Sequence, residues 1–171
     1  MQNLSFRGSH RDVGLQWGTQ LARAGQFLPE RIPFPITPER LDFARACLPA
    51  YQQHFPAILE EIEGIALAQN CAPELLQAVL FSMYALPPEL HCSCFALSRE
   101  GQVLLGRNSD FYLALEAENK AVEYCLSGGV PPILGHTTAF VELEDGVNAH
   151  GLAAGLTAVY PTVPRPGLNA G

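Results

Sequence analysis

The stretch CSCFALSREGQVLLGRNSDF, Cys92 to Phe111, marks the point where this chain passes from helix-forming to strand-forming sequence. CSCFAL and QVLLG are short apolar segments separated by a turn at Arg99 to Gly101, the pattern of a β-hairpin. A hairpin returns its second strand beside its first. Arg107, Asn108 and Asp110 are therefore expected back near Cys92.

Upstream, residues 3–8 alternate as a short strand, and Ser9 with Asp12 three positions later resembles a capping box opening a helix. Val13, Trp17 and Leu21 fall on one stripe of that helix, which places Trp17 in the core. Leu28 to Pro38 holds Pro29, Pro33, Pro35 and Pro38 and excludes a regular helix, while Thr37 and Pro38 form an N-cap and first-turn pair. A long helical stretch follows, broken or kinked at Pro56, with Leu59, Ile62, Ile65 and Ala66 on one face. After a break at Asn70 to Pro73, the residues Leu75, Leu76, Val79, Leu80, Met83 and Tyr84 mark another buried helical face, stopped by Pro87 and Pro88.

Downstream of the hairpin, Ala121 to Leu126, Thr137 to Leu143 and Gly151 to Tyr160 read as strands, separated by SGG and EDG turns. Helices first and strands afterwards predict an α+β fold rather than a doubly wound parallel sheet. The division lies between 1–91, mostly helical, and 92–171, mostly sheet, the two together making one domain, as a length of 171 residues suggests.

With 48% hydrophobic and 16% charged residues, the chain has the material for a packed core. Ten basic residues against 17 acidic give a net charge of −7; Lys120 is the single lysine, and the arginines are scattered. Neither a nucleic-acid nor an anionic-membrane surface is expected from that distribution. No apolar run reaches the ~18 residues that span a bilayer, and MQNLSFRGSHRD contains no signal-peptide apolar region, so a cytoplasmic setting is expected. The five cysteines, Cys47, Cys71, Cys92, Cys94 and Cys125, follow no paired C-x2-C spacing and read as reduced thiols. His91, Cys92 and Cys94 with His136 or His150 lack any enforced ligand spacing, and neither a metal nor an organic cofactor is expected.

A hairpin of this kind is expected to bring together a thiol, a cation, an amide and a carboxylate. An arginine close to a thiol favours the thiolate, a carboxylate orients a neighbouring donor, and an amide can donate to an oxyanion. Taken alone, an Arg and an Asp at a turn read first as a solvated pair. By strand alternation Cys94 shares a face with Cys92 and is the rival nucleophile, with a packed core thiol as its expected role. Asn148 before Gly151 reads as a strand-turn residue.

At these residues the sequence resembles the acyl-coenzyme A:6-aminopenicillanic acid acyltransferase family and, more distantly, the choloylglycine hydrolases and penicillin V acylases. In that family a Cys followed by Ser or Thr starts a strand, and a G-[RQ]-N-x-D-[FW] element follows the hairpin; Gly106, Arg107, Asn108, Asp110 and Phe111 match it. GSHRDVGLQWG, Gly8 to Gly18, resembles the family's early G-S-x-x-x-x-G-x-x-x-G element. DGVNAHGLAAGL, Asp145 to Leu156, resembles D-G-x-N-E-x-G-L-A. The three occur in the family's order, with two departures: His91 stands where the acyltransferases commonly have Gly, and Ala149 replaces the Glu.

The resemblance implies an N-terminal nucleophile hydrolase with a four-layer αββα sandwich. It further implies self-cleavage between His91 and Cys92, leaving Cys92 as the nucleophile with its own α-amino group as base, whose ordinary pKa is ~7.7–8.0. Residues 1–91 would be the pro-segment or α-chain region and 92–171 the start of the catalytic β-chain. By the same likeness Arg107 and Asp110 hold and polarise the nucleophile, and Asn108 has a positioning or oxyanion role. The implied substrate is a small-molecule acyl amide or thioester, with an acyl-coenzyme A donor also compatible. The family continues well past Gly171, so the sandwich is expected to be incomplete here, with a homodimer or a complementing C-terminal chain as its completion. A reading of another class stands beside this one: a non-catalytic or unprocessed fragment that binds a small molecule or dimerises.

Overall fold

The computed structural model describes residues 2–88, 91–110 and 119–169. Phe111, the last residue of the hairpin motif, lies outside the described residues. The elements run β1 (Gln2–Gly8), α1 (His10–Arg23), α2 (Pro38–His54), α3 (Pro56–Ala68), α4 (Pro73–Ser82), β2 (His91–Arg99), β3 (Gln102–Asp110), β4 (Lys120–Leu126), β5 (Ile133–Ala139), β6 (Glu142–Asn148) and β7 (Ala153–Gly155). This is a mixed α+β fold. Five strands form one sheet in the order β1-β4-β5-β6-β7, and β2 with β3 forms a separate hairpin.

Strand β1 pairs in parallel with β4, Gln2 opposite Lys120 and Gly8 opposite Leu126, and the remaining neighbours in the sheet are antiparallel. All four helices and the hairpin are thus inserted between two adjacent strands. The Ser9 hydroxyl accepts from the Asp12 backbone N–H while the Asp12 carboxylate accepts from the Ser9 N–H, so the chain turns directly from β1 into α1.

Helix α1 packs on α3 with almost no side chain between them. A Cβ at Gly14 would overlap the Glu61 carbonyl, and one at Gly64 would come within 2.5 Å of the Arg11 carbonyl oxygen. Each glycine therefore admits the other helix's backbone. Trp17, fully buried, packs its ring 5.0 Å from that of Phe6 on β1, tilted by 45°, and donates its indole N–H to the Tyr124 hydroxyl on β4, at 2.5 Å. The aromatic trio joins helix layer to sheet. Buried Gln69 donates to the Gly18 carbonyl at 2.7 Å and accepts from the Leu28 N–H at 2.8 Å, which fixes the start of the proline-rich segment.

Buried Arg40 on α2 donates to the Ser82 hydroxyl at 2.6 Å and to the Pro87 carbonyl, with its guanidinium 3.8 Å above the Phe34 ring. The end of α4 and the segment leading to β2 are held together by this one side chain.

Three strand readings differ from the structure, the first being that EDG, Glu144 to Gly146, is not a turn but the interior of β6, where sheet pairing on both sides holds it extended. Thr137 to Leu143 is not one strand: β5 ends at Ala139, Phe140 and Val141 turn the chain, and β6 begins at Glu142. Phe140 adopts φ 71°, rare for a bulky residue, and its side chain and that of Val141 are buried in the core. Core burial makes this turn in place of Gly, Asn or Pro. Within Gly151 to Tyr160 only Ala153–Gly155 is strand. Asn148, as expected, serves the turn into it, its side-chain oxygen accepting from the N–H groups of His150 and Leu152, each at 3.0 Å.

Candidate functional site

The hairpin pairs in register from His91 opposite Asp110 to Arg99 opposite Gln102. Because side chains alternate across a strand, Cys92 and Cys94 share one face with their partners Ser109 and Arg107, whereas His91 and Ser93 share the other with Asp110 and Asn108. The hairpin thus divides the four residues singled out in the sequence. Arg107 reaches Cys92, its Nη2 donating to Sγ at 3.0 Å. Asn108 and Asp110 lie on the opposite face, bonded to each other from Nδ2 to Oδ1 at 2.7 Å. Asp110 stays opposite His91, next to the peptide bond that precedes Cys92.

Cys92 is half-buried, and the Ser109 hydroxyl also lies near it, 3.8 Å from the sulfur. The guanidinium of Arg107 is fixed from several sides. Its Nε donates to the Leu156 carbonyl at 2.8 Å, its Nη2 pairs with Glu144 Oε2 at 2.8 Å, and its Nη1 lies 4.0 Å from Asp145 Oδ2. Glu144 also accepts from the Tyr84 hydroxyl through Oε1 and lies 3.4 Å from the Ser109 hydroxyl through Oε2. A chain of polar groups runs from the end of α4 through β6 to the thiol. Burial, reinforced by the nearby carboxyls of Glu142 and Glu144, pushes the Tyr84 phenol far above its ordinary value, so Tyr84 stays a hydrogen-bond donor.

Chemically, a fixed guanidinium at hydrogen-bond distance from a sulfur stabilises negative charge on it as it attacks an electrophile. The buried Glu144 holds that cation in place. Glu144, Tyr84 and Ser109 are members of the site that the sequence reading missed. The spacing from Cys92 to Ser109 could have signalled that residue, since hairpin alternation puts it on the Cys92 face; Tyr84 lies past the end of α4, outside the hairpin, and Glu144 is far along the chain, so no strand pairing pattern connects either to the thiol.

Cys94, expected as a packed core thiol, is exposed, opposite Arg107. Backbone regularity carries it to the Cys92 face, but the hairpin has little covering it there. Among the remaining thiols Cys47 is buried, and Cys71 and Cys125 are half-buried. Among the described residues no group of three or more His, Cys, Asp or Glu side chains is placed to hold a metal ion, and no helix is long and apolar enough to cross a membrane.

No protein-family model matches this sequence, and no curated protein matches it.

Proposed function

We propose that this chain is a cysteine N-terminal nucleophile amidohydrolase or acyltransferase acting on linear acyl amides or thioesters, with Cys92 as nucleophile. The observation that carries the reading is the 3.0 Å contact from Arg107 Nη2 to Cys92 Sγ at the start of β2. The resemblance of the hairpin and of the Gly8 and Asp145 elements supplies the class. In the finer architecture inferred from it, an αββα sandwich, the five-stranded sheet and its helices form one pair of layers.

In maturation the Cys92 sulfur attacks the His91 carbonyl carbon. The amide bond to the Cys92 nitrogen breaks, the thiol proton passes to that nitrogen, and a thioester results. Water then hydrolyses the thioester, leaving a carboxylate on His91 and a free amino group on Cys92. In turnover the Cys92 amine takes the thiol proton and delivers it to the departing amine, while the sulfur keeps the acyl group as a thioester. Water or an acceptor amine resolves that intermediate. Arg107 stabilises charge on the sulfur, Asp110, paired opposite His91, acts beside the His91–Cys92 peptide bond that is cut, and Asn108 positions Asp110 through its amide.

Denaturing mass spectrometry of the wild-type chain beside Cys92→Ala tests this. Two fragments, 1–91 and 92–171, in the wild type and one uncut chain in the variant are expected; cleavage in both, or in neither, refutes self-processing by Cys92. A second reading, a dimerising module without turnover, is favoured by one observation. Phe95, Leu97 and Leu104 leave an apolar face of the hairpin 60%, 54% and 56% exposed. A wild-type chain that stays whole and sediments as a dimer would select it.

A further inference from the structure

A cavity of about 250 Å³ lies between α3, α4 and the inner face of the sheet, on different side chains from the Cys92 cluster. Its walls are mostly apolar, with Ile58, Ile62 and Ile65 from α3 and Leu80 and Phe81 from α4. Besides the Tyr51 and Tyr124 hydroxyls, which accept from the Asn169 N–H and the Trp17 indole, two acidic features interrupt them. One is the His10 and Glu61 pair, in which the imidazole Nδ1 meets the carboxylate at 2.7 Å. The other is Glu142 at the start of β6, whose Oε2 has no contact with solvent and no hydrogen-bond partner.

These features differ in kind. His10 and Glu61 satisfy each other, whereas Glu142 presents an unanswered carboxyl oxygen in a largely apolar enclosure. Genuinely empty protein cavities are apolar, and a buried polar atom without a partner calls for one from outside the fold. No arginine or lysine is among the described residues lining the cavity, and both acidic side chains there are glutamates. An anion would find no arginine or lysine to pair with, a hydrocarbon would leave Glu142 unanswered, and an amine would pair with it.

We infer that this cavity is a binding site for a small amine with an apolar body, its nitrogen paired with the Glu142 carboxyl and its body packed on Ile58, Ile62, Ile65 and Leu80. Burial and the neighbouring Glu144 push the Glu142 carboxyl well above the usual carboxylate range, and an ammonium beside it favours the carboxylate, so the two form an ion pair. The site is independent of the chemistry proposed for Cys92.

The molecule carries its own reporter. Its single tryptophan, Trp17, donates to the Tyr124 hydroxyl, and Tyr124 lines the cavity. Titration of the full chain with 3-phenylpropylamine, followed by Trp17 emission and by melting temperature, is expected to give saturable binding with a rise in Tm. The matched alcohol and carboxylate, 3-phenylpropanol and 3-phenylpropanoate, should bind at least tenfold more weakly. Glu142→Gln, which keeps shape and removes the titratable carboxyl, should lose at least tenfold in affinity for the amine while remaining folded. Ile62→Phe, which fills the cavity and spares the carboxyl, should lose binding too; if that variant does not fold, the Glu142→Gln result decides. Cys92→Ala should bind as the wild type does. Equal binding of amine and alcohol, undiminished binding by Glu142→Gln, loss of binding in Cys92→Ala, or no saturable signal overturns the inference.

Discussion

Arg107 and Glu144 form an ion pair almost sealed from water, 2.8 Å from Nη2 to Oε2, with side chains 4% and 0% exposed. The same Nη2 faces the Cys92 sulfur, so the carboxylate that neutralises the cation also fixes its direction. Removing one partner of such a pair leaves a charge buried alone, at a cost of ~3–5 kcal/mol. Glu144→Ala is therefore expected to destabilise the fold by about that much, read by urea denaturation. A loss under ~1 kcal/mol would show that the pair is solvated in solution.

Reactivity of the thiol depends on the same guanidinium. In the wild type, Cys92 should be alkylated by iodoacetamide faster at neutral pH than exposed Cys94, although it is the less accessible of the two. Arg107→Lys keeps the charge and loses the planar fork that reaches Leu156, Glu144 and Cys92 together, and should slow Cys92 labelling by about tenfold. Peptide mapping of the labelled chain distinguishes the two cysteines. Faster labelling of Cys94 in the wild type would remove the case for an activated Cys92.

The contact of α1 with α3 predicts that Gly14→Ala is poorly tolerated, although alanine is the better helix former. Its Cβ would overlap the Glu61 carbonyl, and overpacking of this kind costs ~1–3 kcal/mol. Gly25, with nothing within 4 Å of a Cβ, is a control for crowding but has φ +70°, so its substitution is strained by conformation instead. Urea midpoints of Gly14→Ala and of Gly14→Ser should both fall, serine no less than alanine.

Glu142 gives the fold a pH dependence of definite sign. Desolvation first, and the charge of Glu144 second, raise its folded-state value above the ordinary 4.5, with Tyr51 and Tyr84 also within its field. The unfolded chain releases this proton near the ordinary value while the folded chain holds it. Stability is thus complete below that value and is lost by ~1.36 kcal/mol per pH unit as pH rises toward the folded one. Glu142→Gln should accordingly be more stable than the wild type at pH 7 and lose less between pH 5 and pH 7. Parallel urea curves at the two pH values, with equal slopes for both proteins, check it.

Much of this was legible in the chain. The Ser9 capping box, the Thr37 N-cap, the Trp17 stripe and the hairpin from Cys92 are local patterns, and a local pattern needs only neighbours a few residues away to become structure. The Phe140 turn was not legible, because it contains no turn-forming residue and exists through burial of Phe140 and Val141 against the rest of the core. In the candidate site, hairpin pairing could be read from spacing and led to Arg107. Alternation within that hairpin also turns Asn108 and Asp110 away from the sulfur, a consequence of register that the motif alone did not show.

By itself the sequence determined the class of the fold, the helices and their caps, and the return of Arg107 to Cys92, since each follows from periodicity, turn chemistry or strand pairing over short separations. Only the tertiary structure decided that β1 joins β4, that Glu144 and Tyr84 stand behind Arg107, and that Glu142 ends in a cavity without a partner. Those relationships join residues far apart in the chain. They are selected by which faces can be buried together, and burial is a property of the whole fold rather than of any stretch within it.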